Sequence, residues 1–372
     1  MEKKIKEQLD RAWQDPAGAA TAWKAKTSGK AIGLCHTDVP EELVHAAGAL
    51  PMTIMARDIA IQKADKHLQS FACTYSRSVV ELYEQGELGY LDGIIMPYAC
   101  DTTRCLDLVF KFAAGLAFYD CLRIPKRVSA EGVKKYFRAE LERLAQNLSA
   151  FTGQEITNAR LGASIKQFNR VRLLLARLQE AVRDRAISAS DYFSAVRAAL
   201  VLPPEDSETL LKQAAETMGG AKANGKGPRV IVAGKVPQPP GIIGVIEKAG
   251  LLIVEDHLVV GGRWVAAMAP EGTEPWDALI ERQLNRLPFA GIWDRRPSRS
   301  AYLQERVKAM GANAVVFLVQ KFCEPAELDY PGIKEELTKA GVPMLVLDSD
   351  YSPGSLDGLK TRVEAFAEML KK

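Results

Sequence analysis

Short runs of wholly apolar residues, each followed by a helical pattern, constrain this chain more than any other feature. Ala314-Val315-Val316-Phe317-Leu318-Val319 is the clearest of them, and residues 30–35, 93–96, 229–234, 251–254 and 344–347 are of the same kind apart from Lys30 and Arg229 at two of the starts. A strand that is apolar on both faces is buried on both faces. That is the condition of a parallel sheet covered by crossover helices. Between the runs lie helix signals. Asp38-Val39-Pro40-Glu41-Glu42 offers a cap residue, an early proline and N-terminal acids for a helix through Ala47, which Gly48 ends. Further helices are expected at 76–85, around Leu106–Phe112, at 242–249, 302–310, 333–340 and 356–370.

The runs fall into two groups, and the expected fold is α/β: two flavodoxin-like parallel-sheet units with helical N-terminal and central segments. The boundaries are 1–29 for the N-terminal helices, 30–128 for the first α/β domain, 129–223 for a helical middle and 224–372 for the second α/β domain. In the middle, 133–144 and 165–182 carry apolar residues at helical spacing with charges opposite. Its arginine-rich face is expected to be solvated and laced with i,i+4 pairs.

Bulk properties exclude several functions. A net charge of +3, from 49 basic and 46 acidic residues, argues against nucleic acid and anionic membranes. No apolar run is suited to spanning a bilayer, and the start reads as an exposed helix rather than an export signal, so a cytoplasmic location is expected. Gly225-Lys226 lacks P-loop spacing. H-E-x-x-H, G-x-S-x-G and G-x-G-x-x-G patterns are absent, which argues against a zinc hydrolase, a serine hydrolase and a dinucleotide site. The histidines His36, His45, His67 and His257 form no cluster.

Cysteine placement carries the chemistry. Cys100 and Cys323 each follow a buried strand, and Cys73 precedes a helix. Ligands collect at strand ends, and a helix N-terminus favours a thiolate. Three thiolates meeting there suit an iron–sulfur cluster with one open iron. Zinc, or plain thiols, fits the spacing equally well. Cys35, Cys105 and Cys121 read as inert thiols, and without an export signal the six cysteines are not a disulfide framework.

Three motifs, in order, resemble the 2-hydroxyacyl-CoA dehydratase and benzoyl-CoA reductase family: Val39–Pro51 with its Pro-Glu-Glu and His-Ala-Ala-Gly, Ala99-Cys100-Asp101-Thr102, and Lys321-Phe322-Cys323-Glu324-Pro325. The length is similar to that of the family's smaller catalytic subunit. The middle and C-terminal segments look slightly closer to the benzoyl-CoA reductase members.

The resemblance implies a [4Fe–4S] cluster on Cys73, Cys100 and Cys323, a second catalytic subunit as partner in a hetero- or homodimer, and a separate ATP-hydrolysing iron–sulfur activator that delivers one low-potential electron. It implies an acyl-CoA substrate, from which a hydroxyl leaves or whose aromatic ring is reduced. His36, His45 and Glu41 are candidate bases. His257 or Arg263 is expected near the thioester or cluster, with a surface salt bridge as the competing account. Arg282, Arg286, Arg295, Arg296 and Arg299 are candidates for CoA phosphates. Phe71, Tyr98 and Phe322 suit shielding of the cluster, or are ordinary core aromatics. Two variants stay open: an electron-relay subunit without its own substrate site, and a homodimer with a double-cubane cluster using Cys35, Cys105 or Cys121.

Overall fold

The structure is a computed structural model, and it describes residues 1–113, 115–218, 226–286, 298–350 and 354–371. Two N-terminal helices, α1 (Lys3–Gln14) and α2 (Pro16–Thr27), break at Asp15, whose side chain accepts from the Gly18 N–H. The first α/β unit follows: β1 (Ala31–Leu34), α3 (Glu41–Ala46), β2 (Leu50–Thr53), α4 (Thr74–Glu84), β3 (Gly93–Tyr98), α5 (Asp101–Ala113) and β4 (Phe118–Arg123). Its four strands are parallel in the order β2-β1-β3-β4.

Four helices form the middle: α6 (Val133–Thr152), α7 (Asn158–Arg183), α8 (Ala189–Ala199) and α9 (Pro204–Glu216). The second unit contains β5 (Arg229–Gly234), α10 (Ile242–Lys248), β6 (Leu252–His257), α11 (Gly262–Ala266), α12 (Pro275–Leu284), α13 (Arg299–Met310), β7 (Ala314–Gln320), α14 (Glu324–Lys339), β8 (Met344–Ser349) and α15 (Ser355–Met369). Its parallel order, β6-β5-β7-β8, repeats that of the first sheet strand for strand. The two-sheet α/β class read from the sequence is the observed one.

In both units the third strand outruns the first. β3 pairs with β1 only as far as Ile95 but with β4 as far as Tyr98. β7 pairs with β5 as far as Leu318 but with β8 as far as Gln320. These overhangs carry the chain to Cys100 and Cys323. Pro97 is tolerated in β3 for the same reason. The Ile95 carbonyl accepts from Cys35 N, so odd-numbered residues face β1, and Pro97 lies beyond the last β1 pair, where its missing N–H breaks no ladder bond.

Several segments depart from the sequence reading. β6 continues through Glu255, Asp256 and His257 instead of stopping at Val254; it is an edge strand, so polar side chains there find partners beyond the sheet. α14 starts directly after Cys323, because Pro325 suits a first helical turn and Glu324 and Glu327 favour its N-terminus. Asp38 does not cap α3, whose N-cap is Pro40 with no side-chain bond. The arginine-rich face of the middle is not wholly solvated, because Arg172 of α7 is fully buried. It meets Glu41 and Glu42 of α3, which turn inward instead of lying exposed at the helix start.

α7 is the spine between the units, packing against α3, α8, α9, α11, α12 and β6. Along it, Glu41 and Glu42 meet Arg172 and Arg282 in one buried network. Arg172 Nη2 lies 2.7 Å from Glu42 Oε1 and also bonds Glu41 Oε1, while Arg282 Nη1 lies 3.2 Å from Glu42 Oε2. Trp264 Nε1 donates to Glu41 Oε1 at 2.7 Å. Two carboxylates and two guanidinium groups balance, which is the condition for burying charge at all.

Candidate metal centre

A cavity of about 90 Å3 opens where the C-terminal ends of both sheets meet. Crevices at such strand ends are where open α/β folds bind ligands. Cys73, Cys100 and Cys323 all line it, although they come from three distant segments. Cys73 enters at the N-terminus of α4, Cys100 between β3 and α5, and Cys323 between β7 and α14.

Local hydrogen bonds fix each position. The Thr103 hydroxyl accepts from the N–H groups of Ala99 and Cys100 at 2.9 Å and donates to the Cys100 carbonyl, so the turn holding Cys100 closes on itself. Phe322 takes a left-handed backbone conformation, φ 63°, and its N–H donates to Glu327 Oε1 at 2.7 Å. That kink ends β7 and turns Cys323 toward the seam between the units. Across the seam, Thr74 N donates to the Lys321 carbonyl at 3.3 Å.

The sulfurs are coupled. The Cys73 thiol donates to Cys323; this hydrogen bond, helped by burial, raises Cys73 well above its usual value and holds Cys323 down at about 6, where Lys235 adds to the lowering. Burial pushes the Cys35 thiol up, and burial with the nearby Asp107 pushes Cys121 up to about 12. Cys35, Cys105 and Cys121 are not among the described residues lining the cavity.

His36 lines the cavity, its Nδ1 2.5 Å from Asp38 Oδ2. Burial alone would raise the Asp38 carboxyl, but His36 and Arg286 outweigh it and hold it far below the usual carboxylate range. Arg286 Nη1 lies 2.8 Å from Asp38 Oδ1. Glu41 lies elsewhere, in the buried network, where Arg282 and Arg172 overcome the effect of burial and lower it to about 2. His45 sits between α3, α7 and α9, 3.0 Å from Ser164 Oγ and 3.1 Å from Glu205 Oε1.

His257 and Arg263 are 5% and 2% exposed, which rules out the surface salt bridge. They line a second cavity of about 40 Å3, which shares Lys235 with the first. Burial, with Arg263 and Arg306, pushes the His257 imidazole down to about 3. Asp256 shapes the turn that presents Arg263: its Oδ1 accepts from Gly262 N at 2.6 Å and from Leu258 N at 3.2 Å. Burial raises its carboxyl to about 6. A third crevice, about 300 Å3, shares Ala99, Cys100 and Pro325 with the first cavity and Arg299 and Asp329 with the second.

The arginine run does not act as one surface. Arg282 is buried against Glu41 and Glu42, Arg286 pairs with Asp38, and Arg299 pairs with Asp329. Arg295 and Arg296 lie outside the described residues. Among the expected shielding aromatics, Phe71 is 68% exposed and Tyr98 lines the third crevice. Phe322 is half-buried, with Lys321 Nζ 5.4 Å from its ring centre. Tyr75 lines the first cavity instead; its hydroxyl donates to the Cys35 carbonyl at 2.5 Å. Sequence reasoning missed Tyr75, Lys235 and the Asp38–Arg286 pair. The His-x-Asp spacing of 36 and 38 is the one local signal, and it reads as a helix cap.

Comparison with known proteins bears on this geometry. The chain matches the family described as “2-hydroxyglutaryl-CoA dehydratase, D-component” over residues 36–370. It is 28% identical to the lactoyl-CoA dehydratase subunit beta of Anaerotignum propionicum, covering 98% of each chain. It is 29% identical to a benzoyl-CoA reductase subunit of Thauera aromatica, covering 95% of this chain and 94% of that one. To the (R)-phenyllactyl-CoA dehydratase beta subunit of Clostridium sporogenes it is 24% identical, covering 93% of each. These identities do not separate dehydratase from reductase. They and the family match together show that the chain belongs to the family of 2-hydroxyacyl-CoA dehydratase and benzoyl-CoA reductase subunits.

Proposed function

We propose that this chain is the [4Fe–4S] catalytic subunit of an ATP-dependent acyl-CoA dehydratase or reductase. The observation that carries the reading is the meeting of Cys73, Cys100 and Cys323 on one cavity between two sheets. The donor set suits the cluster. A single zinc ion needs its sulfurs within about 4 Å of one another. Among the described residues, no three His, Cys, Asp or Glu side chains form a group that would hold a metal ion. A cubane binds three thiolates on three separate irons, which Cys73, Cys100 and Cys323 on one cavity would supply once the Cys73–Cys323 hydrogen bond opens to admit it. The other three cysteines lie off the cavity, which favours a single cubane over a double one.

When bound, the cluster supplies one electron at low potential and an open iron. The chain's own residues do the rest. Ile54, Met55, Val236, Pro237 and Val260 give the cavity an apolar wall that keeps water from the reacting centre. Lys235, just after β5, lines both inner cavities and would neutralise charge developing on a thioester oxygen. His36, on the same cavity, would hold or move a proton. ATP would be hydrolysed on a separate activator, since the chain has no P-loop pattern. A second subunit would complete the site, as the relatives are themselves named as subunits.

The test combines the oxygen-free protein with its partner subunit, activator, ATP and a reductant, and offers lactoyl-CoA, 2-hydroxyglutaryl-CoA and benzoyl-CoA. ATP-dependent consumption of one of them is expected. No consumption and no acyl-CoA binding by a chain with an intact cluster would contradict the substrate role and leave an electron relay.

A further inference from the structure

The cavity holds few groups that can exchange a proton. Its cysteines are committed to iron and Lys235 to the thioester oxygen in the proposed function, the Tyr75 hydroxyl is engaged with the Cys35 and Ile54 carbonyls, and Arg197 does not deprotonate. His36 is the one imidazole among the described lining residues. Imidazole is the side chain suited to taking and returning a proton near neutrality.

What distinguishes His36 is the support behind it. Its Nδ1 is buried, 2.5 Å from Asp38 Oδ2, while the side chain keeps 18% exposure, so the ring's open part is not at Nδ1. The contact is short, and as it stands its angle is not that of a straight hydrogen bond. Asp38 is itself gripped from the second unit. Arg286 Nη1 lies 2.8 Å from both Asp38 Oδ1 and the Thr37 carbonyl. One helical turn earlier, Arg282 binds Glu41 and Glu42. The end of α12 thus holds the segment from Thr37 to Glu42 at two points. Thr37 Oγ1 adds a third by donating to the Val259 carbonyl at 3.2 Å.

We propose that Asp38, held by Arg286, is a positioning residue that fixes His36 as the Nδ1–H tautomer and turns Nε2 to the cavity as a proton acceptor. In a dehydration, Nε2 takes a proton from a substrate C–H whose electron pair becomes the new C=C bond, the ring becomes an imidazolium facing the Asp38 carboxylate, and Nε2 gives the proton to the departing hydroxyl, which leaves as water. No electron passes through the ring. The catalytic part of this inference rests on the cavity being the reaction site; the tautomer does not.

The chain has four histidines, so their ring nitrogens can be resolved in 15N-histidine-labelled, oxygen-free protein and His36 assigned with His36→Asn. The proposal expects an Nδ1–H ring in the native protein and loss of that fixed tautomer in Asp38→Asn, with iron content unchanged. Arg286→Lys, which keeps the charge but not the fork, should weaken the preference, and Asp38→Glu should restore part of it. Turnover with the responsive acyl-CoA should fall about 10^2- to 10^4-fold in Asp38→Asn, the range that general acid–base catalysis contributes. An unchanged His36 tautomer in Asp38→Asn would overturn the positioning claim whatever the activity. A lost tautomer with full turnover would overturn the proton role. A native chain that turns over no acyl-CoA yet keeps the Asp38-dependent tautomer would uphold the positioning and sink the wider functional reading.

Discussion

The backbone N–H of Thr74 donates to the carbonyl of Lys321 at 3.3 Å, a bond between residues almost 250 positions apart in the chain. Cys73 immediately precedes the donor, and Cys323 is two residues past the acceptor. The sulfur pair is therefore set by a main-chain bond across the seam. Cys100 joins it from a turn that is closed by Thr103 and needs nothing from the second unit.

This arrangement predicts a split among the cysteines. Cys73→Ser, Cys100→Ser and Cys323→Ser should each lose iron, while Cys105→Ser and Cys121→Ser should keep it. Iron and acid-labile sulfide on oxygen-free protein read the outcome. Full retention in the first three would remove the ligand assignment.

The buried network predicts a large stability effect far from the cysteines. Arg172→Met leaves Glu41 and Glu42 with Arg282 alone, and breaking a buried pair in this way costs about 3–5 kcal/mol. Adding Glu42→Gln should recover part of that loss. Urea unfolding of the single and double variants checks both, and an Arg172→Met midpoint equal to the native one would contradict the account.

His257 predicts a pH dependence with a definite sign. Burial, with Arg263 and Arg306, lowers its folded pKa to about 3 from the ordinary 6.5. Between these values the unfolded chain binds a proton that the folded chain does not. Stability should therefore fall as pH drops from about 6.5 toward 3, by on the order of a few kcal/mol from this group, and its contribution should be flat above that window. His257→Gln removes it. Unfolding midpoints against pH should be less steep for the variant, and parallel curves would contradict the burial argument.

Gly234 ends β5 just before Lys235, with φ 120°. A Cβ there would meet the Leu318 carbonyl oxygen at 2.0 Å. Gly234→Ala must push β5 from β7 and displace Lys235 from both inner cavities. The backbone strain alone costs about 1–3 kcal/mol. A lowered melting temperature is expected, and an unchanged one would show that the strands yield freely.

Much of the fold is legible in advance, because buried parallel strands announce themselves as apolar runs and their helices as periodic ones. Ala314–Val319 is the plainest case. Two of the cysteine positions are legible too, since Cys100 and Cys323 closely follow such runs, while Cys73 is marked by the helix that begins after it. What stays hidden depends on distant partners. Asp38 looks like a helix cap from its neighbours alone, and its pairing with Arg286 is 248 residues away. Glu41 and Glu42 look like ordinary N-terminal acids, and Arg172 like one more surface arginine, until α7 and α12 bring the charges together. The second cavity is half legible: His257 and Arg263 stand out in the sequence, but their separation from the cysteine cavity depends on Lys235 and the turn closed by Asp256.

The most direct test of the central claim is iron and acid-labile sulfide per chain, with electron paramagnetic resonance, on protein purified without oxygen. The account predicts about four irons and four sulfides per chain, the content of one cubane, with a signal on reduction that is lost in Cys100→Ser. Zinc or no metal, with reconstitution by iron and sulfide also failing, would contradict it.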